Sequence, residues 1–225
     1  MQRYIKNMSM LSAEENKLIR TKKIVVVGCG GIGGYIIEFL ARLGVGHLTV
    51  IDKDVFEESN LNRQLLSEPS VLGKSKVEVA KERIAVVNPD VTAVPVQTKL
   101  DRFNGVDILK GHDLVIDALD NRDSRVDLQI VAEEVGIPMI HGAIAGWFGQ
   151  VSTIFPGDRT LDLIYRYCSE GEEKSLGNPS FTPALIASIQ VSEALKVMIG
   201  RGELLRKKLL VIDTLVQSYE VIPLH

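Results

Sequence analysis

The segment KIVVVGCGGIGGYIIEFLARL, residues 23–43, constrains the fold more than any other part of the chain. A run of Ile and Val passes through a glycine-rich turn straight into helical periodicity, so a buried strand, a tight turn and a helix are expected in that order. The same grammar then repeats. Strands are expected over 23–28, 47–52, 91–97, 113–119 and 137–141, and helices over 31–43, 74–87 and 122–135. Apolar β-branched runs that alternate with helices build βαβ units, which predicts an α/β, doubly wound, mostly parallel sheet covered on both faces.

Beyond residue 141 the pattern changes. FGQVSTI (148–154) reads as a strand, and the 29 residues 155–183 carry Gly, Pro and charge with little periodicity. Loops of that length are usually functional covers, and residues 157–181 are expected to be a mobile crossover loop. An amphipathic helix over 184–199 follows, then strands over 208–213 and 217–224, close enough in sequence to form an antiparallel hairpin at the C-terminus. At the other end Ser12 and Glu15 have capping-box spacing and open a short helix to about Arg20, so residues 1–21 read as an N-terminal helical arm. Residues 1–225 are expected to form one domain, since a chain of 225 residues buries a core large enough to need no disulfide or structural metal.

Composition removes several classes of function. Lys and Arg total 26 against 29 Asp and Glu, a net charge of −3, whereas phosphate affinity normally rests on a basic surface, so nucleic acid is not an expected partner. The two cysteines, Cys29 and Cys168, form no CxxC pair, which excludes a four-cysteine zinc site within one chain. No stretch approaches the roughly 18–20 apolar residues of a membrane span, and the polar start MQRYIKNMSMLSAEENK lacks a secretory apolar core. A cytoplasmic location without membrane contact is expected.

Gly28, Gly30 and Gly33 form a GxGxxG pattern directly after a strand and at the start of a helix, with Asp52 ending the next strand. In a Rossmann-like sheet such glycines permit a tight turn and close backbone approach, the helix N-terminus offers N–H groups to phosphate, and the carboxylate accepts from ribose hydroxyls. The pattern leaves NAD and ATP equally open. Past Asp52 and Asp54 comes the polar run Ser59, Asn60, Asn62, Arg63 and Gln64, at the carboxyl end of the second strand, where open α/β sheets bind ligands. Lys74 and Lys76 open a helix, a position the helix dipole makes unfavourable for cations unless an anion is near. DLVIDALDNRDSR brings Asp117 and Asp120 to a strand end, with Asp120 either holding Mg²⁺ beside a polyphosphate or capping the next helix together with Asn121. His141, ending a core strand, reads as structural, and Trp147 either as a core residue or as part of a docking surface.

Together GCGGIGG, DKDVFEESNLNRQ, GKSK, DALDN and a late helix after a Pro-containing loop resemble the ThiF/MoeB/HesA family, relatives of the ubiquitin-activating enzymes, over about residues 3–220. The resemblance implies an adenylyltransferase that uses ATP and Mg²⁺ to activate the C-terminal glycine carboxylate of a ubiquitin-like sulfur-carrier protein with a Gly-Gly tail, as a homodimer serving cofactor biosynthesis. Carried over by position, Gly28, Gly30, Gly31 and Gly33 would approach the nucleotide, Asp52 would hold its ribose, and Asp54 would stand beside it. Asn60, Arg63, Gln64 and Lys76 would contact the phosphates, and Asp120, next to Asn121, would carry Mg²⁺. Arg63, Lys76 and Asp120 would form the catalytic set, while Arg125 matches a family arginine to which no role is carried over.

Two departures accompany the match. RYIKN places Lys6 and Asn7 where the family has an arginine that reaches the partner subunit, and a lysine lacks the guanidinium fork. Ile164 and Tyr167 stand where zinc-binding relatives have cysteines, so no zinc is expected, and Cys168 is the only candidate thiol for sulfur transfer. The loop 157–181 would cover a substrate tail running toward Asp120, with Trp147 and Phe148 near the docking surface. Three other readings remain open: activation of a tRNA-attached or small-molecule carboxylate, a nicotinamide oxidoreductase, and a noncatalytic nucleotide-binding relative.

Overall fold

The computed structural model describes residues 2–166 and 176–224. Its strands are β1 Lys23–Val27, β2 His47–Ile51, β3 Thr92–Val96, β4 Leu114–Asp117, β5 Met139–Ala145, β6 Phe148–Ile154, β7 Lys208–Asp213 and β8 Ser218–Pro223. The helices are α1 Ala13–Ile19, α2 Gly31–Leu43, α3 Lys76–Val87, α4 Gly105–Leu109, α5 Arg122–Val135, α6 Thr160–Ile164 and α7 Phe181–Ile199. All eight strands join one sheet in the order β3-β2-β1-β4-β5-β6-β7-β8. The first five neighbours pair parallel and the last three strands add antiparallel, which is the Rossmann-like mixed sheet expected from the alternation.

The period-two alternation of the strands divides the core into two layers. Ile24, Val26, Leu48, Val50, Leu114 and Ile116 face one way and pack with Ile36, Leu40, Ile84 and Ile186 of α2, α3 and α7. Val25, Val27, Ile51 and Val115 face the other way and meet Leu109, Leu128, Val131 and Leu161 of α4, α5 and α6. Pro95 lies in β3, an edge strand, where its missing N–H breaks no ladder that a central strand would need. The expected capping box opens α1, with Ser12 Oγ accepting from the Glu15 N–H and Glu15 accepting from the Ser12 N–H.

Several expectations change. The 157–181 loop is not without regular structure, because α6 occupies its start, held where the Leu161 N–H donates to Gln129 Oε1 at 2.7 Å. Five-residue helices such as α4 and α6 are too short to show a periodicity. Cys168 and the centre of that loop lie outside the described residues. β5 continues to Ala145, so His141 sits inside the strand and not at its end. Of the two readings of Trp147 the core one fails: the side chain is 46% exposed, tilted against Phe181 with ring centroids 5.0 Å apart.

The late helix also begins earlier than expected, at Phe181, since Pro183 falls in its first turn, where a missing N–H costs no hydrogen bond. At 19 residues α7 is long and apolar enough by length and composition to cross a membrane, correcting the expectation that no stretch approaches that length. Its packing is that of a core helix. Ile186 and Ala187 join the main apolar layer, and the buried Gln190 and Glu193 bond to the sheet, Gln190 Nε2 to Asp117 O at 2.7 Å and Glu193 to Thr153 Oγ1 at 2.5 Å.

The order of β2, β1 and β4 makes the turn after β1 the switch point of the sheet. Gly33 lets α2 lie directly on that turn, since a Cβ there would stand 1.8 Å from the Gly28 carbonyl oxygen, a contact no side chain can relieve. Gly33→Ala is therefore expected to destabilise the protein by about 2–3 kcal/mol through overpacking, which thermal unfolding would read as a fall in Tm of about 5–10 °C for a chain of this size.

Candidate active site

A cleft of about 420 Å³ opens at the carboxyl ends of β1, β2 and β4. Its floor is the turn after β1. Gly28 has φ +99°, in the left-handed region, and a Cβ there would stand 2.4 Å from Ala118 O, so glycine is required both by conformation and by the closeness of the β4 backbone. Gly30, the N-cap of α2, makes no side-chain cap bond, so the first N–H groups of that helix are not claimed by a capping side chain.

Asp52 is fixed from two sides: its Oδ2 accepts the Cys29 N–H at 2.7 Å and its Oδ1 accepts the Asp54 N–H at 2.9 Å. The carboxylate thereby ties the end of β2 to the glycine turn. Cys29 itself is fully buried, and burial, assisted by the Asp52 charge, pushes its thiol well above the ordinary value. It is a packing residue, as a small side chain in that turn should be.

Lys76 is the first residue of α3 and only 7% exposed. Its Nζ lies 3.8 Å from Asp54 Oδ2 and 6.0 Å from the centroid of the Phe56 ring, and its N–H donates to Asp54 O. A buried cation at a helix N-terminus opposes the dipole, and one exposed carboxylate at that distance compensates it weakly. Lys74 is exposed and does not line the cleft, so the structure separates two lysines that the sequence reading kept together.

Arg63 stands half-buried at the rim, its Nη1 donating to Ser59 O at 2.8 Å and to Asn62 Oδ1 at 2.9 Å. Gln64 is buried over Gly30, and its Oε1 has no hydrogen-bond partner. Asn60 does not line the cleft. Its side chain accepts the Glu57 N–H, and its carbonyl accepts the N–H groups of Arg63 and Gln64, so it shapes the turn that presents those two. Gly33 is likewise outside the lining, serving the contact between helix and turn.

Asp120 faces the cleft from the loop after β4, exposed, with Asn121 Nδ2 donating to its Oδ1 at 3.2 Å. Asn121 also caps α5, accepting the Ser124 N–H at 2.9 Å. Arg125, 3% exposed, lines the same wall, its Nη2 donating to Leu119 O at 2.7 Å. The structure thus brings Gly28, Gly30, Gly31, Asp52, Asp54, Arg63, Gln64, Lys76, Asp120 and Asn121 to one cleft.

Polar lining residues that were not singled out in the sequence include Lys53, Thr98, Lys99 and Asn178. Lys53 follows Asp52, and Thr98 and Lys99 follow β3; a rule that ligands gather at carboxyl strand ends would have found these three. Asn178, 115 residues beyond Arg63, has no such signal. It reaches the cleft because its carbonyl accepts Asn62 Nδ2 at 3.2 Å, while the Pro183 ring stands 3.7 Å from where a Gly31 Cβ would be. Among the described lining residues, Lys53, Arg63, Lys76, Lys99 and Arg125 face the carboxylates of Asp52, Asp54 and Asp120, a cationic excess that suits a polyanion.

A glycine turn at the switch point of a Rossmann-like sheet, walled by cations and the exposed carboxylates of Asp54 and Asp120, defines a nucleotide-binding α/β protein. The chain belongs to the ThiF family, whose model matches residues 1–225. It is 34% identical to the SAMP-activating enzyme E1 of Haloferax volcanii over 220 residues, covering 96% of this chain and 82% of that protein. With the sulfur carrier protein adenylyltransferase of Thermus thermophilus it shares 32% identity over 222 residues, covering 92% and 80% of the two chains. The crystal structure of E. coli MccB superposes with a TM-score of 0.86 at 19% identity over 99% of this chain and 69% of that one, a likeness of fold.

Lys76→Met removes the buried charge while keeping the apolar stem. We expect nucleoside triphosphate affinity, measured by calorimetry, to fall by about tenfold or more, the scale of a lost hydrogen bond to a charged group, with Tm little changed.

Proposed function

We propose that this chain is an ATP-dependent adenylyltransferase that activates the C-terminal glycine carboxylate of a ubiquitin-like sulfur-carrier protein ending in Gly-Gly. The observation that carries the reading is that Arg63, Lys76 and Asp120, from three separate segments, line one cleft with the Gly28–Gly31 turn. The names of the Haloferax and Thermus relatives supply the reaction class.

The chemistry matches what the cleft offers. One carboxylate oxygen attacks the α-phosphorus of ATP, the bond from that phosphorus to the bridging oxygen breaks, and the products are an acyl adenylate and pyrophosphate. No proton need move, because a C-terminal carboxylate is ionised at neutral pH. Two anions must instead be brought together and the charge on the leaving pyrophosphate met, the roles assigned to Arg63 and Lys76. Asp52 holds the ribose, and the glycine turn with the α2 N-terminus receives the phosphates.

Asp120 fits a magnesium ligand. It is exposed to the cleft with acceptor capacity beyond its one bond from Asn121, and no group of three or more His, Cys, Asp or Glu among the described residues could enclose a metal. Mg²⁺ typically takes one or two carboxylates and completes its shell with water and phosphate oxygens. When bound there, the ion supplies neutralisation of the triphosphate charge.

The exposed apolar residues Trp147, Phe148, Phe181, Leu215 and Val216 gather at the same end of the sheet as the cleft, where Thr214 N–H donates to Trp147 O, and this favours a protein substrate that docks there. Homodimerisation, one domain spanning 1–225 and a cytoplasmic location complete the reading. Lys6 does not line its own chain's cleft, which leaves it available to the subunit across a dimer interface.

The test supplies the purified chain with ATP, Mg²⁺ and a panel of Gly-Gly-tailed carriers, and reads pyrophosphate release together with carrier mass. We expect adenylate on an intact carrier and none once the terminal glycine is removed. Arg63→Ala and Asp120→Ala should each lower the rate by about 100-fold or more with Tm unchanged. Near-normal rates in both variants would refute the assigned roles, and ATP binding without turnover on any carrier would refute the protein substrate.

A further inference from the structure

Asp117 is a carboxylate at a place where the fold calls for a hydrophobe. It follows Val115 on the layer facing α5, it is fully buried, and burying a charge is costly unless it is paired and hydrogen-bonded. Its partners are specific. Oδ2 lies 2.7 Å from His141 Nδ1 and 3.8 Å from Nε of the buried Arg125, and Oδ1 accepts the Leu119 N–H at 3.0 Å. His141 is also fully buried, one strand over on β5, in the register that pairs Val115 with Met139 and Ile116 with Ile140. Its Nε2 lies 3.0 Å from Gln150 Nε2 on β6. A carboxylate on one ring nitrogen and an amide nitrogen on the other place the ring proton on Nδ1.

The chain of contacts therefore runs from β6 through β5 and β4 into the loop that carries Asp120. Asp117 holds the N–H of Leu119, and Arg125 Nη2 holds the carbonyl of the same residue, so the two peptide units that flank Leu119, the second of which leads into Asp120, are each gripped by a buried side chain. Gln190 Nε2 fixes the Asp117 carbonyl from α7. Among the described residues the Asp120 side chain bonds only to its neighbour Asn121, so its placement depends on that grip.

We propose that His141 is a positioning residue for Asp120, acting through Asp117, and that this pair sets the geometry in which Asp120 meets a magnesium-bound nucleotide. The inference rests on the reading of Asp120 as the magnesium carboxylate. Packing alone would be served by any apolar residue at 117 and 141. The polar pair orients the turn, as carboxylate–histidine partners orient ligating groups elsewhere.

Calorimetric binding of MgATP, and of ATP in EDTA, to the full chain and to Asp120→Asn, His141→Leu and His141→Asn separates the possibilities, with Tm recorded for each. Asp120→Asn is expected to weaken MgATP selectively. His141→Leu should reproduce that selective loss, about 10-fold to 100-fold for MgATP, while metal-free ATP binds as in the wild type. His141→Asn, whose Nδ2 can donate to Asp117 in place of Nδ1, should restore MgATP binding. If His141→Leu does not fold, Gln150→Leu loosens the same ring and should show the same selective loss.

Loss with Asp120→Asn but none with a folded His141→Leu or Gln150→Leu overturns the inference and leaves the magnesium reading intact. Equal losses of both ligand forms, or a loss His141→Asn does not restore, assign His141 to packing and also overturn it. No effect of Asp120→Asn overturns the magnesium reading and the inference together.

Discussion

At Gly28 the backbones of β1, β4 and α2 meet with no side chain between them. A Cβ on Gly28 would stand 2.4 Å from Ala118 O, and one on Gly33 would stand 1.8 Å from Gly28 O. Every other property of the site depends on this contact. It sets how closely β4 lies beside β1 and therefore where the loop 118–121 leaves the sheet. It brings the α2 N-terminus over the switch point, and it leaves a floor of bare backbone onto which a polyphosphate can settle.

Around that floor the charges are arranged for a ligand they anticipate. Lys76 is nearly buried at a helix N-terminus with one exposed carboxylate at 3.8 Å, an arrangement that favours an incoming anion more than it stabilises the free protein. Arg63 is held by a carbonyl and an amide oxygen and carries no ion pair in the described contacts, so its charge is not neutralised before substrate arrives. Asp52 and Asp117 show the opposite treatment: each has both carboxylate oxygens engaged and acts on its surroundings by holding backbone in place. Preorganised charge and fixed backbone are what adenylate chemistry needs when no proton transfer is required.

Much of this was legible in the sequence. The five parallel strands and α2, α3 and α5 followed from alternation, because β-branched runs and helical stripes have different periods. Gly28, Asp52, Lys76 and Asp120 could be named because each sits close to a strand end or helix start, places that the βαβ order brings together, and Arg63 because the run NLNRQ carries the family resemblance. Short helices α4 and α6 carried too few residues to register, and the exposure of Trp147 depends on what does not pack over it. Asn60 shows a subtler limit, since its residue type suits phosphate contact equally well, and only its bonds to Glu57, Arg63 and Gln64 reveal its place in a turn.

The sequence by itself determined the layering, the glycine turn and the family, because these rest on local conformational preference and on patterns within a few residues. Only the tertiary structure decided that Asn178 joins the cleft, that Lys74 leaves it, and that His141 lies against Asp117 across two strands. Those facts depend on the order in which strands pair and on how α7 folds back over the sheet. Strand order is set by burial of two whole apolar layers, a sum over many distant contacts, and no short stretch of residues contains it.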